Sequence, residues 1–519
     1  MNAFHLFLLV LFVYLSFLIL TGLYFNKRQV SQTDFWLAGK SAGVFSLGFS
    51  AAASWLTAGA LLAVIGFFIL LGTGSVWGFV APNILALFII GLFVKKIKAL
   101  PAVTQPELLE LRYGRFLRLP VALIITVVMI LFAIADIKGF AMVLEIFYNV
   151  SPVYSALIVG LAVAAYVTLG GLSAVIATDM VQFICLALFI LVMTVAVLSG
   201  AGSTSGLSLG QILAAPSPGW WNPLSIGLPM VLIFVLAIVP GWISEQDPWQ
   251  RVWAARDEKS ARNGMFLGSF FVALVFGGCA LIALGLNRIY PEIAGAGFPM
   301  GMAKAEPALL TFIMEARFSD LSLALCALAL ASAAMSCTDT FAASGASCIS
   351  RDIFQRHLYR SATPTQIRMI NRASVLFIVF LATLGSFFIT SIIDAIHIAT
   401  FIASASYFFA LLGGIFWKRA TGPGAVASMW TGFIVQTGLV LADLFKTAPM
   451  APPFLESIHP LFMGHGVIPA MGISGLVFVG VSLVTSPSEK ERLDLFFGDE
   501  SGENSKPRIF SSPLVPEAE

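Results

Sequence analysis

FHLFLLVLFVYLSFLILTGLYF, Phe4 to Phe25, contains no acid, no Lys and no Arg. About a dozen comparable runs follow it, and this repetition decides the fold class. A stretch of roughly 20 apolar residues is what a helix needs to cross the hydrocarbon layer. The composition agrees: 59% of residues are hydrophobic and 11% charged, with mean hydropathy +0.94. A water-soluble fold of that make-up would lack polar surface. The chain reads as a single all-α polytopic membrane domain with the lipid bilayer as its main solvent.

Hydropathy and turn residues predict thirteen spans at about 3–25, 44–71, 77–98, 119–147, 152–170, 175–198, 224–246, 263–286, 320–348, 367–391, 393–417, 420–445 and 466–486. The first lacks a basic leader and a cleavage site, so it reads as a retained helix rather than a signal peptide. Basic residues alternate between connections. Lys95, Lys96, Lys98, Arg112, Arg115 and Arg118 share a side with Arg251, Arg256, Lys259 and Arg262, whereas the other side shows Arg288, Lys304, Arg317 and Lys446. The positive-inside bias then predicts an amino terminus outside and a cytoplasmic tail over 487–519, in a plasma membrane of the bacterial inner-membrane type. The net charge of +2 gives no basic face for nucleic acid. The five cysteines lack CxxC or zinc-type spacing and read as free thiols.

Two spans carry helix-weakening residues: Gly48, Gly59 and Gly66 in the second, and Pro240-Gly241 in 224–246. Small residues also serve close helix packing. As breaks, they lie five helices apart, and an odd offset turns the second group of five upside down. This predicts inverted repeats over 44–198 and 224–417 framing a midplane site, with an extra helix at 3–25 and two more at 420–486.

The stretch Tyr166-Val-Thr-Leu-Gly170-Gly171-Leu-Ser173-Ala174-Val175-Ile-Ala-Thr178-Asp179-Met-Val-Gln182 resembles the start of the fifth core helix in the sodium/solute symporter family. Asp34-Phe-Trp-Leu-Ala-Gly39-Lys, Thr104-Gln-Pro-Glu107 through Gly114, and Trp249-Gln250-Arg251 through Asp257 are similar to further segments of that family, so the resemblance runs from about 34 to 445. Its bacterial members carry proline, pantothenate, urea, acetate and sugars. The resemblance implies a leucine-transporter-type fold of five plus five core helices, importing a small polar or anionic solute down a Na+ gradient by alternating access.

Within the ninth span, Ser336, Cys337, Thr338, Asp339, Thr340 and Ser344 place hydroxyls and a carboxylate in an apolar helix. Such groups are costly in lipid and belong toward the bundle interior. Oxygen atoms suit a small hard cation, although Ser and Thr also bond back to their own helix. The resemblance assigns a sodium site to the carbonyls of Phe49 and Ala52 with Ala333, Ser336 and Cys337. Cys337 departs from the usual Ser or Thr, and a thiol is a softer ligand. A second cation site, carried over in the same way, comprises Asp179, Ser336, Asp339 and Thr340. Two adjacent carboxylates also suit a shared proton, so H+ coupling stays open.

Ser54, Trp55, Thr57 and Phe234 are candidate pocket-lining residues, together with Asp136 and Lys138 in the fourth span. Asp136 and Lys138 diverge on a helix, and a cavity-facing Lys138 would favour an anionic solute. His397 reads as a satisfied core imidazole. No nucleophile, metal-protease or phosphate-loop motif is present, so the chain is not read as an enzyme. A sensor that binds solute without efficient transport is the alternative on the same fold. No obligate protein partner is indicated.

Overall fold

The computed structural model describes residues 3–28, 36–199, 210–211, 219–298, 300–389, 391–446, 454–459 and 462–498. Asp34 and the tail beyond 498 lie outside the described residues. Among them every regular element is a helix. In order these are α1 (Ala3–Arg28), α2 (Val44–Ala53), α3 (Ala58–Leu71), α4 (Val80–Ala99), α5 (Gln105–Tyr113), α6 (Arg118–Tyr148), α7 (Pro152–Leu198), α8 (Leu228–Ser244), α9 (Gln246–Ala254) and α10 (Glu258–Ile289). The short α11 (Pro291–Gly295), α12 (Met302–Ala305) and α13 (Ala308–Glu315) follow, then α14 (Asp320–Ser347), continued by a π-helix over Cys348–Leu358. The rest are α15 (Pro364–Gly385), α16 (Ile392–Ser406), α17 (Phe408–Phe416), α18 (Gly422–Lys446), α19 (Phe454–Ile458), α20 (Met463–Val484) and α21 (Lys490–Phe497).

Nine helices are long and apolar enough to cross a membrane among the described residues, or eleven when each of two bent pairs counts as one span. The chain is a multi-pass membrane protein. Two expected spans take a different form: 44–71 is divided into α2 and α3, and 152–170 runs on into the next span within α7. The turn inside α7 is made by Gly171 at φ 59°, a conformation open to glycine at little cost.

The interruptions fall beside the expected residues rather than on them. Between α2 and α3 the helix stops over Ser54-Trp55-Leu56 and restarts at Thr57, whose side chain caps the new helix by accepting from the Ala60 amide at 3.0 Å. The glycines on either side pack instead: a Cβ on Gly59 would stand 2.8 Å from the Ala135 carbonyl, and one on Gly48 2.8 Å from Leu267. Likewise α8 continues through Pro240-Gly241 as far as Ser244. Gly241 lies against Thr400, where a Cβ would meet the carbonyl oxygen at 2.4 Å. The break is at Glu245, and α8 and α9 meet there at 44°. A second bent pair, α16 and α17, turns 46° at Tyr407.

Both broken elements are tied together at one end. An isolated parallel bridge joins Ala42 to Ala255: the Ala42 amide donates to Ala254 at 3.2 Å and the Arg256 amide donates to Ala42 at 3.0 Å. Nearby, Glu107 of α5 pairs with Arg351 at 2.8 Å, and Arg118 pairs with Glu110 and Asp352 at 2.7 Å each. Burial acts to raise the Glu107 carboxyl, but Arg351 and Arg118 outweigh it and hold the group below the usual carboxylate range.

Gly139 of α6 sits on Gly59 of α3, so close that a Cβ at 139 would be 2.4 Å from the Gly59 Cα. Gly139→Ala is therefore expected to force α3 and α6 apart and cost about 1–3 kcal/mol through overpacking. Thermal unfolding of the purified protein measures this, and an unchanged melting temperature would show that the two backbones are not held this close.

Candidate functional site

The break after α2 leaves the Ala53 carbonyl facing α14. The Ser336 hydroxyl and the Cys337 thiol both donate toward it at 3.0 Å, and Ser336 also reaches its own Ala333 carbonyl at 2.8 Å. All these residues are buried. Ala52, one residue earlier, already accepts the Trp55 amide at 3.2 Å. Phe49 lies a turn below, its ring stacked on Phe271 at 4.9 Å. Thus α2 and α14 do meet, and the carbonyl turned toward the α14 side chains is that of Ala53.

Asp179 of α7 and Asp339 of α14 occupy adjoining surroundings but have separate partners. Asp179 Oδ2 accepts from the Ser50 hydroxyl and from Arg251 at 3.2 Å. Asp339 Oδ2 lies 3.0 Å from the Tyr166 hydroxyl, which also bonds the Met335 carbonyl at 2.8 Å. One oxygen of each carboxylate, Oδ1, has no hydrogen-bond partner. A small cavity lined by Tyr166, Gly171, Thr178 and Asp339 lies on the Asp339 side. Ser336 is turned to Ala53 instead of this pair, and Thr340 enters the Asp179 group through Arg251 at 3.1 Å.

Arg251 is the residue that sequence reasoning missed. It lies on α9 with 1% of its surface exposed. Its guanidinium donates to Ser50 at 2.9 Å, Asp179 at 3.2 Å, Thr340 at 3.1 Å and Asp247 at 2.8 Å. One planar fork therefore joins α2, α7, α9 and α14, a geometry Arg supplies and Lys does not. The signal was its spacing from Asp247, i and i+4 on one helix.

The pocket candidates divide into two levels. Ser54 and Trp55 both donate to Asp247, at 3.1 and 3.4 Å. Asp136 of α6 is buried with the Thr57 and Thr338 hydroxyls beside it. Phe234 sits farther along α8, 5.8 Å from the His397 ring, and His397 Nε2 lies 3.2 Å from the Gly78 carbonyl. Lys138 is about 200° round α6 from Asp136. It lies one turn beyond Ile134, whose side chain packs on Gly385 of α15, so the two charged residues serve different faces.

The Sodium:solute symporter family model matches residues 35–432. The sodium/glucose cotransporter of Vibrio parahaemolyticus is 24% identical over 488 residues, covering 87% of each chain. The osmoregulated proline transporter OpuE of Bacillus subtilis is 23% identical, covering 93% of this chain and 96% of its own. Among solved structures, a Na+-coupled sialic acid symporter in a substrate-bound outward-open state has a TM-score of 0.76 at 20% identity, over 93% of this chain and 98% of its own, which establishes a shared fold. The protein is a solute transporter and not an enzyme, and the chain belongs to the sodium:solute symporter family.

Proposed function

We propose that this chain imports a small polar solute against its gradient by coupling it to Na+ entry. The supporting observation is the Ala53 carbonyl, freed by the helix break and faced by Cys337 and by the Ser336 hydroxyl, which also reaches the Ala333 carbonyl. Oxygen donors from two packed helices form a cradle suited to a small hard cation. Alternating access would follow from two inverted groups of five, the first from α2 through α7 and the second from α8 through α17, rocking about the breaks at Ser54–Thr57 and Glu245. With thirteen crossings the amino terminus lies outside and the tail inside, in a bacterial inner membrane. Lys138 stands about 200° from Asp136 on α6, so an anionic solute, the other class expected from the sequence, would meet one of the two and not both. Proton coupling is the second reading, favoured by the thiol at Cys337 and by the unpartnered oxygens of Asp179 and Asp339.

Na+ is expected to stabilise the purified protein by roughly 1.4 kcal/mol at ten times its dissociation constant, with K+ inert. In liposomes, an inward Na+ gradient should drive uptake from a panel of labelled amino acids, sugars, amines and carboxylates. Uptake that survives removal of the Na+ gradient and follows a pH gradient instead would assign coupling to H+.

A further inference from the structure

We propose that the solute carries a protonated amine or guanidinium group, held by Glu245 in the bend between α8 and α9. This rests on the transport reading above and names the class of cargo.

Glu245 is the single residue separating the two half-helices, in extended conformation at φ −65° and ψ 137°. It is 1% exposed. Its backbone is occupied, the amide donating to Trp242 at 3.3 Å and the carbonyl accepting from Gln105 at 3.3 Å. No N–H or O–H donor reaches either carboxylate oxygen, and the group lying directly beside them is a second acid, Asp247. A buried carboxylate with both oxygens unmatched is expensive, and the cost is relieved by a charged donor bringing N–H groups.

The surroundings favour an organic cation as that donor. Asp247, Arg251 and Asp136 are within electrostatic range of Glu245. Arg251 is the cation in range of Glu245, and its guanidinium is already engaged by Asp179 and Asp247, so the surroundings of Glu245 are acidic. A carboxylate-bearing solute would add to this negative field, whereas an ammonium ion reduces it. The aromatic residues next to the bend are packed on one another: Trp242, three residues before Glu245, lies against Trp55 at 4.8 Å and Phe132 at 5.2 Å, and Phe132 stacks on Phe341 at 5.0 Å. This apolar wall offers Na+ none of the oxygen atoms it needs. Tyr407, in the other bend and within electrostatic range of Glu245, also has a buried hydroxyl without a partner.

The test is a thermal-shift titration of the full chain in nanodiscs at saturating Na+. Four matched four-carbon probes are used: putrescine, 4-amino-1-butanol, 1,4-butanediol and succinate. The amines are expected to raise the melting temperature, with the diol and the diacid inert. Glu245→Gln should weaken the amine response by at least roughly ten-fold while the Na+ response stays. Equal or larger shifts from the diol or succinate in the wild-type protein overturn the proposal, as does a Na+ response with no amine response. Amine shifts unchanged in Glu245→Gln do the same. Absence of any Na+ response is a failure of the sodium reading instead, so the two are separable. Because the wild-type comparison stands alone, misfolding of the variant does not rescue the idea.

Discussion

Replacing Arg251 with Met is expected to cost about 3–5 kcal/mol, the penalty for stranding buried charges whose partner has been removed. Asp179 and Asp247 are 0% and 1% exposed and take their cationic partner from this one guanidinium. Met fills similar length but donates nothing. The two carboxylates would then repel across the space it vacates, and Ser50 and Thr340 would also lose a donor. Arg251→Lys should recover part of the loss, because an ammonium supplies the charge without the planar fork that reaches four partners. Combining Arg251→Met with Asp179→Asn and Asp247→Asn should restore most of the stability. Thermal unfolding in detergent reads all of these. A loss under 1 kcal/mol for Arg251→Met, or a triple variant no better than the single, would show that the network is not what holds α9 against α2, α7 and α14.

The same network bears on the second cation site. Arg251 already occupies the Oδ2 side of Asp179, so a cation at the proposed site would have to use its free Oδ1 or displace the guanidinium. Asp339 offers its own free Oδ1. The four residues carried over from the family resemblance are thus neighbours on two sides of α14, Ser336 turned to α2 and Asp339 turned to Tyr166 of α7.

Much of this architecture was legible because lipid imposes a simple rule: apolar runs of helical length become spans, and polar groups inside them turn inward. The hydroxyl cluster of α14 obeyed it. What was not legible depended on contacts distant in sequence. Arg251 was counted among the loop cations, since the positive-inside count takes no account of burial, yet α9 bends 44° from α8 and buries it against α2, α7 and α14. Pro240-Gly241 advertised a break, but the helix runs through both residues to Ser244 and gives way at Glu245. The carbonyl that Ser336 and Cys337 contact, that of Ala53, is the neighbour of the carried-over Ala52. The helix ends at Ala53, so its carbonyl belongs to the terminal groups left without an intrahelical donor, whereas that of Ala52 still accepts the Trp55 amide. Glu245 gave no pattern at all, because its meaning lies in partners it lacks.

The second large effect concerns the Na+ cradle, where neighbouring side chains on α14 should move affinity in opposite directions. Ser336→Ala removes an oxygen donor from a buried position beside the Ala53 carbonyl and is expected to weaken Na+ binding by roughly 10- to 100-fold, or about 1.4–2.8 kcal/mol. Cys337→Ser replaces a soft sulfur, 3.0 Å from the same carbonyl, with a hard oxygen of smaller radius. That exchange should tighten Na+ binding several-fold. Both are read from the Na+ concentration giving half-maximal thermal stabilisation, with K+ replacing Na+ to keep ionic strength constant. Tightening by Cys337→Ser would show that the thiol limits the natural site. If Ser336→Ala weakens binding while Cys337→Ser changes nothing, the ion is held by Ser336 and the carbonyls of Ala53 and Ala333 without help from position 337. If neither variant shifts the Na+ midpoint, the cation binds elsewhere, and the meeting of α2 with α14 is a packing contact.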